Sequence, residues 1–148
     1  MADTASGKIE TVMGFDFGHR RVGIATGQTI TQTASALKTI DSPEHTGDWK
    51  TISSLIDEWR PDALIVGIPF HMDGTEIDLT EDAKRFAEAL KARYNKPVFM
   101  VDERLSSVEA AREIAEARAA GLRRRSVKGD LDKLAASIIL QTWFNQQP

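Results

Sequence analysis

Residues 12–25 read VMGFDFGHRRVGIA, an apolar segment that meets an acid and a glycine and is followed by a second apolar segment. The aliphatic and aromatic residues before Gly18 fit a buried strand, and those after Arg21 fit a strand that returns. Gly18 suits the turn between them, because glycine tolerates backbone angles and close approaches that a side chain forbids. A carboxylate inside such a strand is costly to bury unless a cation accompanies it. Asp16 is therefore either a turn-capping residue, or a ligand for a divalent metal or an acid that takes part in phosphate chemistry.

Length and composition indicate one globular domain. The chain has 148 residues, of which 41% are hydrophobic and 28% charged, values that are normal for a globular protein. The absence of cysteine excludes disulfides, thiol nucleophiles and thiolate metal sites, and it is compatible with a cytoplasmic location. No apolar run approaches the roughly 18 residues that span a bilayer, so no membrane partner is expected. Residues 1–10 are small and polar, which predicts a flexible tail before a single domain over residues 11–148.

The rest of the chain alternates between helical and strand patterns. Strands are predicted at 32–40, 63–68 and 97–101, and helices at about 47–60, from 79 or 80, over 106–120, and from Asp130 or Leu131. Short links make the first three strands antiparallel, whereas helical connections make the later two parallel. The sequence thus predicts an α/β fold with a mixed five-stranded sheet and helices on both faces.

Three acids are candidates for one site on that scaffold. Asp16 ends the first strand, Asp102 and Glu103 follow the last one, and Asp132 falls at the start of the last helix. Because alternate strand residues face opposite ways, only one of Asp102 and Glu103 can join Asp16, and the spacing does not choose between them. Converging carboxylates suit Mg²⁺ or Mn²⁺, and two such ions can drive hydrolysis of a phosphodiester. The three histidines stand apart in the sequence, so an ordinary surface role is expected for each.

Four segments together resemble one known family, the bacterial YqgF-type Holliday junction resolvases, also described as pre-16S rRNA nucleases. The segments are residues 16–25 (DFGHRRVGIA), 66–74 (VGIPFHMDG), 101–110 (VDERLSSVEA) and 132–141 (DKLAASIILQ). The resemblance spans about residues 11–145. It departs from the family at Ser106 and Ser107, where threonines are frequent, and in the longer N-terminal tail.

The resemblance implies a ribonuclease H-like fold and a metal-dependent nuclease in the cytoplasm that takes part in maturing the 5′ end of 16S rRNA. The family's acidic triad falls on Asp16, Glu103 and Asp132, and this settles the choice between Glu103 and Asp102. For the third acid, Asp132 is favoured over Asp130, because it precedes Leu134, Ala135 and Ala136 as the family's acid does, and also because a position in the first helical turn favours an anion. The resemblance does not choose between structured RNA and branched DNA as the substrate, and it leaves a ribosomal subunit as a further partner.

A basic segment predicts contacts with nucleic acid. Residues 118–128 contain five basic side chains and no acid, although the whole chain carries a net charge of −3. Such a patch on an acidic body suits phosphate binding, while the alternative is a solvated loop. The predicted phosphate contacts are Arg123, Arg124, Arg125 and Lys128, with Arg20 and Arg104 nearer the reacting bond.

Two rival functions stay open at this point. A sugar-kinase or actin-like ATPase fragment also begins with an acid and a glycine in a hairpin, but it needs a second domain copy that 148 residues cannot hold. A non-catalytic RNA-binding factor for ribosome assembly would keep the basic segment and need none of the three acids.

Overall fold

The chain forms a sheet of five strands that is flanked by helices in a computed structural model. The structure describes residues 8–106 and 125–147, with the backbone alone for 125–130. The strands are β1 (Thr11–Phe17), β2 (Arg21–Gln28), β3 (Thr33–Asp41), β4 (Ala63–Ile68) and β5 (Val98–Asp102). The helices are α1 (Pro43–Thr46), α2 (Lys50–Trp59), α3 (Asp78–Tyr94) and α4 (Arg125–Asn145), and a 3₁₀ turn covers Glu103–Leu105.

The sheet has the predicted mixed topology. Its strand order is β3-β2-β1-β4-β5. The β1–β2 and β2–β3 pairs are antiparallel, whereas the β1–β4 and β4–β5 pairs are parallel. Because β1, β4 and β5 run the same way, their carboxyl ends, at Phe17, Ile68 and Asp102, lie at one edge of the sheet. In α/β folds this is the edge where ligands bind.

Two apolar layers cover the two faces of the sheet, as the sequence predicts. Side chains of α2 and α3 pack on one face with Met13, Phe15 and Leu64. Side chains of α4 pack on the opposite face with Val12, Ala25 and other strand residues. We call these the α3 face and the α4 face. All six residues of β4 are buried, which is the physical reason for its uninterrupted apolar sequence, since a central strand between two helical layers has no solvent-facing side.

The last helix begins earlier than predicted, and this corrects the expected first-turn position of Asp132. It starts at Arg125 rather than at Asp130 or Leu131, so the basic segment that was predicted as a loop is in part helical. Asp132 lies about two turns inside α4, where the helix dipole no longer favours an anion. Gly129 lies inside this helix although glycine costs roughly 1 kcal/mol in a helix interior, because packing of α4 along the sheet outweighs that local preference.

Other boundaries move by smaller amounts. The helix predicted over about 47–60 is α2, which covers Lys50–Trp59. A short helix that was not predicted, α1, precedes it; Ser42 caps α1, and Gly47, with φ of 72°, ends it. Helix α3 begins at Asp78, and β3 covers 33–41 rather than 32–40. The helix predicted over 106–120 lies almost wholly outside the described residues.

The domain's contacts begin slightly before residue 11. The backbone N–H of Glu10 donates to the Asp62 carboxylate at 2.9 Å, and the Thr29 hydroxyl donates to the Ile9 carbonyl at 2.7 Å. Residues 1–7 of the expected tail lie outside the described part. Within the residues that the structure describes, no helix combines the length and apolar character needed to cross a membrane.

Candidate active site

Asp16 lies near the carboxyl end of β1 on the α4 face. Side chains alternate along a strand, so Asp16 shares a face with Val12, which belongs to the core under α4. Its antiparallel partner on β2 is Gly23, and it is partly buried. The strand therefore presents one carboxylate at the sheet edge where ligands bind in this class of fold.

Asp132 is brought to Asp16 by a close backbone contact between α4 and β2. A Cβ atom on Gly23 would lie 2.8 Å from the Lys133 nitrogen and closer still to the Asp132 carbonyl oxygen. Since Gly23 is paired with Asp16, the missing side chain lets Asp132 approach the neighbouring strand. The Asp132 carboxylate in turn accepts a hydrogen bond from Arg21 Nε at 2.7 Å. The side chain of Asp132 is only 18% exposed, so this ion pair fixes its direction.

The Glu103 carboxylate also lies on the α4 face, over β4, which pairs with β1 on the side opposite β2. Its Oε2 atom lies 3.1 Å from the position that a Cβ of Gly67 would occupy. Gly67 follows Val66, which pairs with Phe15 in the parallel β1–β4 ladder, so Gly67 is level with Asp16 on the next strand. A side chain at Gly67 would fill the space that the Glu103 carboxylate uses.

The three predicted acids therefore stand side by side across the sheet. The backbone of Asp132 lies over β2, Asp16 projects from β1, and the Glu103 carboxylate lies over β4. Adjacent strands are about 4.8 Å apart, so the three acids occupy neighbouring positions in one row. No single stretch of sequence contains all three, and only the strand order places Asp16 between the other two.

Asp102 takes a different role from Glu103. Its carboxylate accepts hydrogen bonds from Arg104 Nε at 3.0 Å and from Arg104 Nη2 at 2.6 Å. These side-chain hydrogen bonds hold the pKa of Asp102 below its ordinary value and raise that of Arg104. The Arg104 guanidinium also lies 5.5 Å from the centre of the Phe70 ring. Asp102 and Arg104 together thus connect β5 to the loop after β4.

The carboxylate row has the donor set of a hard divalent cation. Oxygen ligands of this kind are the ones that Mg²⁺ and Mn²⁺ prefer. Gathered carboxylates repel one another unless a cation neutralises them, and Arg21 supplies one positive charge at Asp132. The donor types therefore fit a divalent metal, but the carboxylate oxygens of these three acids do not all lie within 4.8 Å of one another, so their side chains would have to converge to share one ion.

The predicted basic residues that the structure describes lie on different elements. Arg20 is exposed in the β1–β2 turn, two residues before Val22 and close in sequence to Asp16. Arg125 and Lys128 lie in the first turns of α4, roughly 10 and 6 Å along the helix axis from Asp132. Arg123 and Arg124 lie outside the described residues. Arg104 is engaged by Asp102, as described above.

Sequence reasoning did not single out Arg21, Gly23 or Gly67 as parts of the site. All three lie within the quoted motifs, and glycines in otherwise apolar strands are a signal of close approach by another group. That signal could have marked Gly23 and Gly67. It could not have named Asp132 and Glu103 as the approaching residues, because each lies far along the chain.

Comparison with known proteins supplies the family. The family model described as "RuvX: Holliday junction resolvase" matches residues 10–146. The chain belongs to the RuvX family. This confirms the resemblance that the four motifs indicated.

Curated relatives in the RuvX family align over nearly the whole chain. A protein of Glaesserella parasuis is 45% identical over 138 residues, which cover 93% of this chain and 98% of the relative. A protein of Burkholderia ambifaria is 44% identical over 147 residues, with 96% and 93% covered. Both bear the provisional name pre-16S rRNA nuclease.

Two solved structures share the fold. RuvC of T. thermophilus, determined with a Holliday junction substrate, superposes with a TM-score of 0.55 and 16% identity, covering 90% of this chain and 94% of RuvC. The fowlpox virus Holliday junction resolvase gives a TM-score of 0.54 and 14% identity, covering 93% and 99%. The predicted ribonuclease H-like fold is thereby confirmed. Family and fold together support a nuclease, a hydrolase of phosphodiester bonds.

Proposed function

We propose that this protein is a metal-dependent nuclease that cleaves the precursor of 16S rRNA in the cytoplasm and acts on RNA presented by a ribosomal subunit. The observation that supports this most is the row of Asp16, Glu103 and Asp132 at the carboxyl edge of the sheet, in a chain of the RuvX family. A purely structural fold would have no need to gather three acids there, since each adds repulsion.

The three carboxylates are proposed to hold Mg²⁺ or Mn²⁺. Such ions supply an activated water and stabilise the leaving oxygen of a phosphodiester. The chain's own residues fix the geometry: Asp16 projects from the central strand, Arg21 orients the Asp132 carboxylate, and Gly67 leaves space for that of Glu103. Asp16 stands on a strand that is paired on both sides, which fixes its backbone position.

RNA is the favoured substrate over a four-way DNA junction. Relatives at 44–45% identity carry a name that refers to pre-16S rRNA, whereas the neighbours that act on junctions share only 14–16% identity. At that lower similarity a shared fold does not imply a shared substrate. A Holliday junction therefore remains the second candidate, supported by the description of the family model.

The basic residues are proposed to hold the phosphate backbone. Arg125 and Lys128 stand on the same end of α4 as Asp132, so a strand bound at the acids would pass close to them. Arg20, Arg104, Arg123 and Arg124 complete the proposed set. Replacing Arg123, Arg124 and Arg125 together with alanine should lower RNA affinity and reduce the slope of log affinity against log salt by roughly one unit for each phosphate interaction that the variant removes. An unchanged affinity and slope would refute this role.

The deciding experiment compares cleavage by matched acid variants. Wild-type protein should cut a structured pre-16S 5′ leader with Mg²⁺ or Mn²⁺, and EDTA should stop it. Asp16→Asn should abolish cleavage while leaving the thermal unfolding midpoint nearly unchanged, because the amide keeps the shape and removes the charge. Asp102→Asn is the matched control, since this neighbouring acid is bonded to Arg104 instead, and it should retain activity.

Three results would overturn the proposal. Cleavage by Asp16→Asn at the wild-type rate would remove the carboxylates from the chemistry. RNA binding by the wild-type protein without any cleavage would favour the non-catalytic assembly factor. Cleavage of a four-way junction in preference to the RNA leader would reverse the choice of substrate.

A further inference from the structure

A histidine and two carboxylates lie close together on the α3 face of the sheet. The row formed by Asp16, Glu103 and Asp132, which we call the acid row, lies on the opposite α4 face. We propose that His19, Glu44 and Asp82 form a second metal site, one that takes a transition-metal ion such as Zn²⁺. We call these three residues the His19 cluster. One ligand atom from each, the imidazole nitrogen and two carboxylate oxygens, lies within 4.8 Å of the others. The proposal does not depend on the nuclease activity proposed above.

The three side chains come from three separate elements that the core holds in place. His19 is in the β1–β2 turn, Glu44 is in α1, and Asp82 is in the first half of α3. The β1–β2 turn and α1 are joined by a 2.8 Å hydrogen bond from the Ser42 N–H to the Arg20 carbonyl. The His19 ring also meets the Phe17 ring edge to face, at 6.0 Å between centroids. Backbone and packing, rather than chance meetings of long surface side chains, therefore position the imidazole.

The two separations between His19 and the carboxylate oxygens lie on either side of the separation expected between two ligands of one zinc ion. His19 Nε2 lies 2.6 Å from Asp82 Oδ2 and 3.8 Å from Glu44 Oε2. Nitrogen and oxygen ligands about 2.1 Å from a tetrahedral zinc are separated from each other by roughly 3.4 Å. The His19 and Glu44 side chains are 50% and 45% exposed, so rotation of either one can change these separations toward that value.

Arg85 is an outer partner of the Asp82 carboxylate. Its guanidinium bonds to Oδ1 of Asp82, while Oδ2 of the same carboxylate faces His19. Hydrogen bonding of a ligating carboxylate by an outer partner is typical of metal sites, where it fixes the orientation of the ligand. Arg85 also offsets one of the two negative charges. The cluster with a neutral imidazole then carries about −1 without metal and +1 with a divalent ion.

A cavity beside the cluster leaves room for further ligands. It has a volume of about 210 Å³ and is lined by Glu44 and Asp82 together with Phe17, Trp49 and Phe86. Three protein ligands and an adjacent open space are the arrangement of a site that keeps one position for water or a small anion. The mixed imidazole and carboxylate set suits zinc better than magnesium, which separates this cluster chemically from the all-carboxylate row.

Zinc titration calorimetry of the full-length protein after EDTA dialysis tests the proposal. The Asp16→Asn background is used, so that metal at the acid row contributes less heat. We expect about one Zn²⁺ per chain, and removal of a ligand by His19→Ala should weaken binding by more than the roughly 10–100-fold that loss of an outer partner costs. His45→Ala is the matched control, because His45 is exposed and adjacent to Glu44 in α1 but is not a member of the cluster. It should leave the affinity unchanged.

A second variant and a second measurement protect the test from a folding defect. Glu44→Gln changes an exposed carboxylate, and it too should weaken zinc binding. Zn²⁺ should raise the thermal unfolding midpoint of the background protein and of the His45→Ala control, but not that of His19→Ala. Equal zinc affinity in His19→Ala and its background, or no binding tighter than millimolar, would show that the cluster is only a set of surface ion pairs.

Discussion

Replacing Gly23 with alanine should damage catalysis far more than it damages stability. The new methyl group would lie 2.8 Å from the Lys133 nitrogen and would overlap the Asp132 carbonyl. Both are backbone atoms, so rotation of a side chain cannot relieve the contact. Helix α4 must retreat locally by about 1 Å or more to restore ordinary van der Waals separation, and Asp132 moves away from Asp16 with it.

The expected loss of unfolding free energy is modest, whereas the expected loss of cleavage rate is large. Overpacking of this kind costs typically 1–3 kcal/mol of unfolding free energy. A displacement of about 1 Å in a catalytic group can cost 10²-fold in rate. We therefore expect Gly23→Ala to remain folded, with a lower urea midpoint, and to cleave the RNA leader roughly 100-fold more slowly than the wild type.

Gly47→Ala is the matched control for this prediction. Gly47 has a positive φ of 72°, and a Cβ there would meet no atom within 4 Å. Alanine at that position pays about 1 kcal/mol for its left-handed conformation but leaves the acid row untouched, so its turnover should equal that of the wild type. Wild-type turnover in Gly23→Ala, or an equal loss in both variants, would refute the argument that this close contact positions Asp132.

Three further predictions follow from the same geometry. Arg21→Gln removes the 2.7 Å partner of Asp132; turnover should fall while stability changes by less than about 1 kcal/mol, as for other partly exposed ion pairs, and unchanged kinetics would exclude an orienting role. Asp132→Ala should be inactive and Asp130→Ala active in the same RNA assay, and the reverse result would reassign the third acid. The pKa of Asp102 is lower in the folded protein than its unfolded value of about 3.9, so the ionised carboxylate stabilises the fold above that pH. This contribution is lost as the pH falls through the folded value. In acid titrations followed by circular dichroism, Asp102→Asn should therefore reduce the loss of stability below about pH 4.

The strand and helix pattern was largely readable because it depends on local chemistry. The apolar run in β4 and the turn glycine after β1 are signals within a few residues, and the lengths of the connections between strands then predict the mixed sheet. The last helix was misjudged at its start, since Gly129 disfavours helix locally while packing of α4 on the sheet favours it. Tertiary contacts of that kind are not visible in a local pattern.

The sequence by itself determined which residue types are available for chemistry: carboxylates at Asp16, Glu103 and Asp132, no thiols, and a basic segment before the last acid. The tertiary structure alone decided how they are combined. Pairing of β1 with β2 and β4 sets Asp16 between Gly23 and Gly67, and the absence of side chains there admits Asp132 and Glu103 from distant parts of the chain. The physical reason is that strand order and close backbone contact are properties of the packed sheet, whereas a sequence pattern records only the preference of each segment.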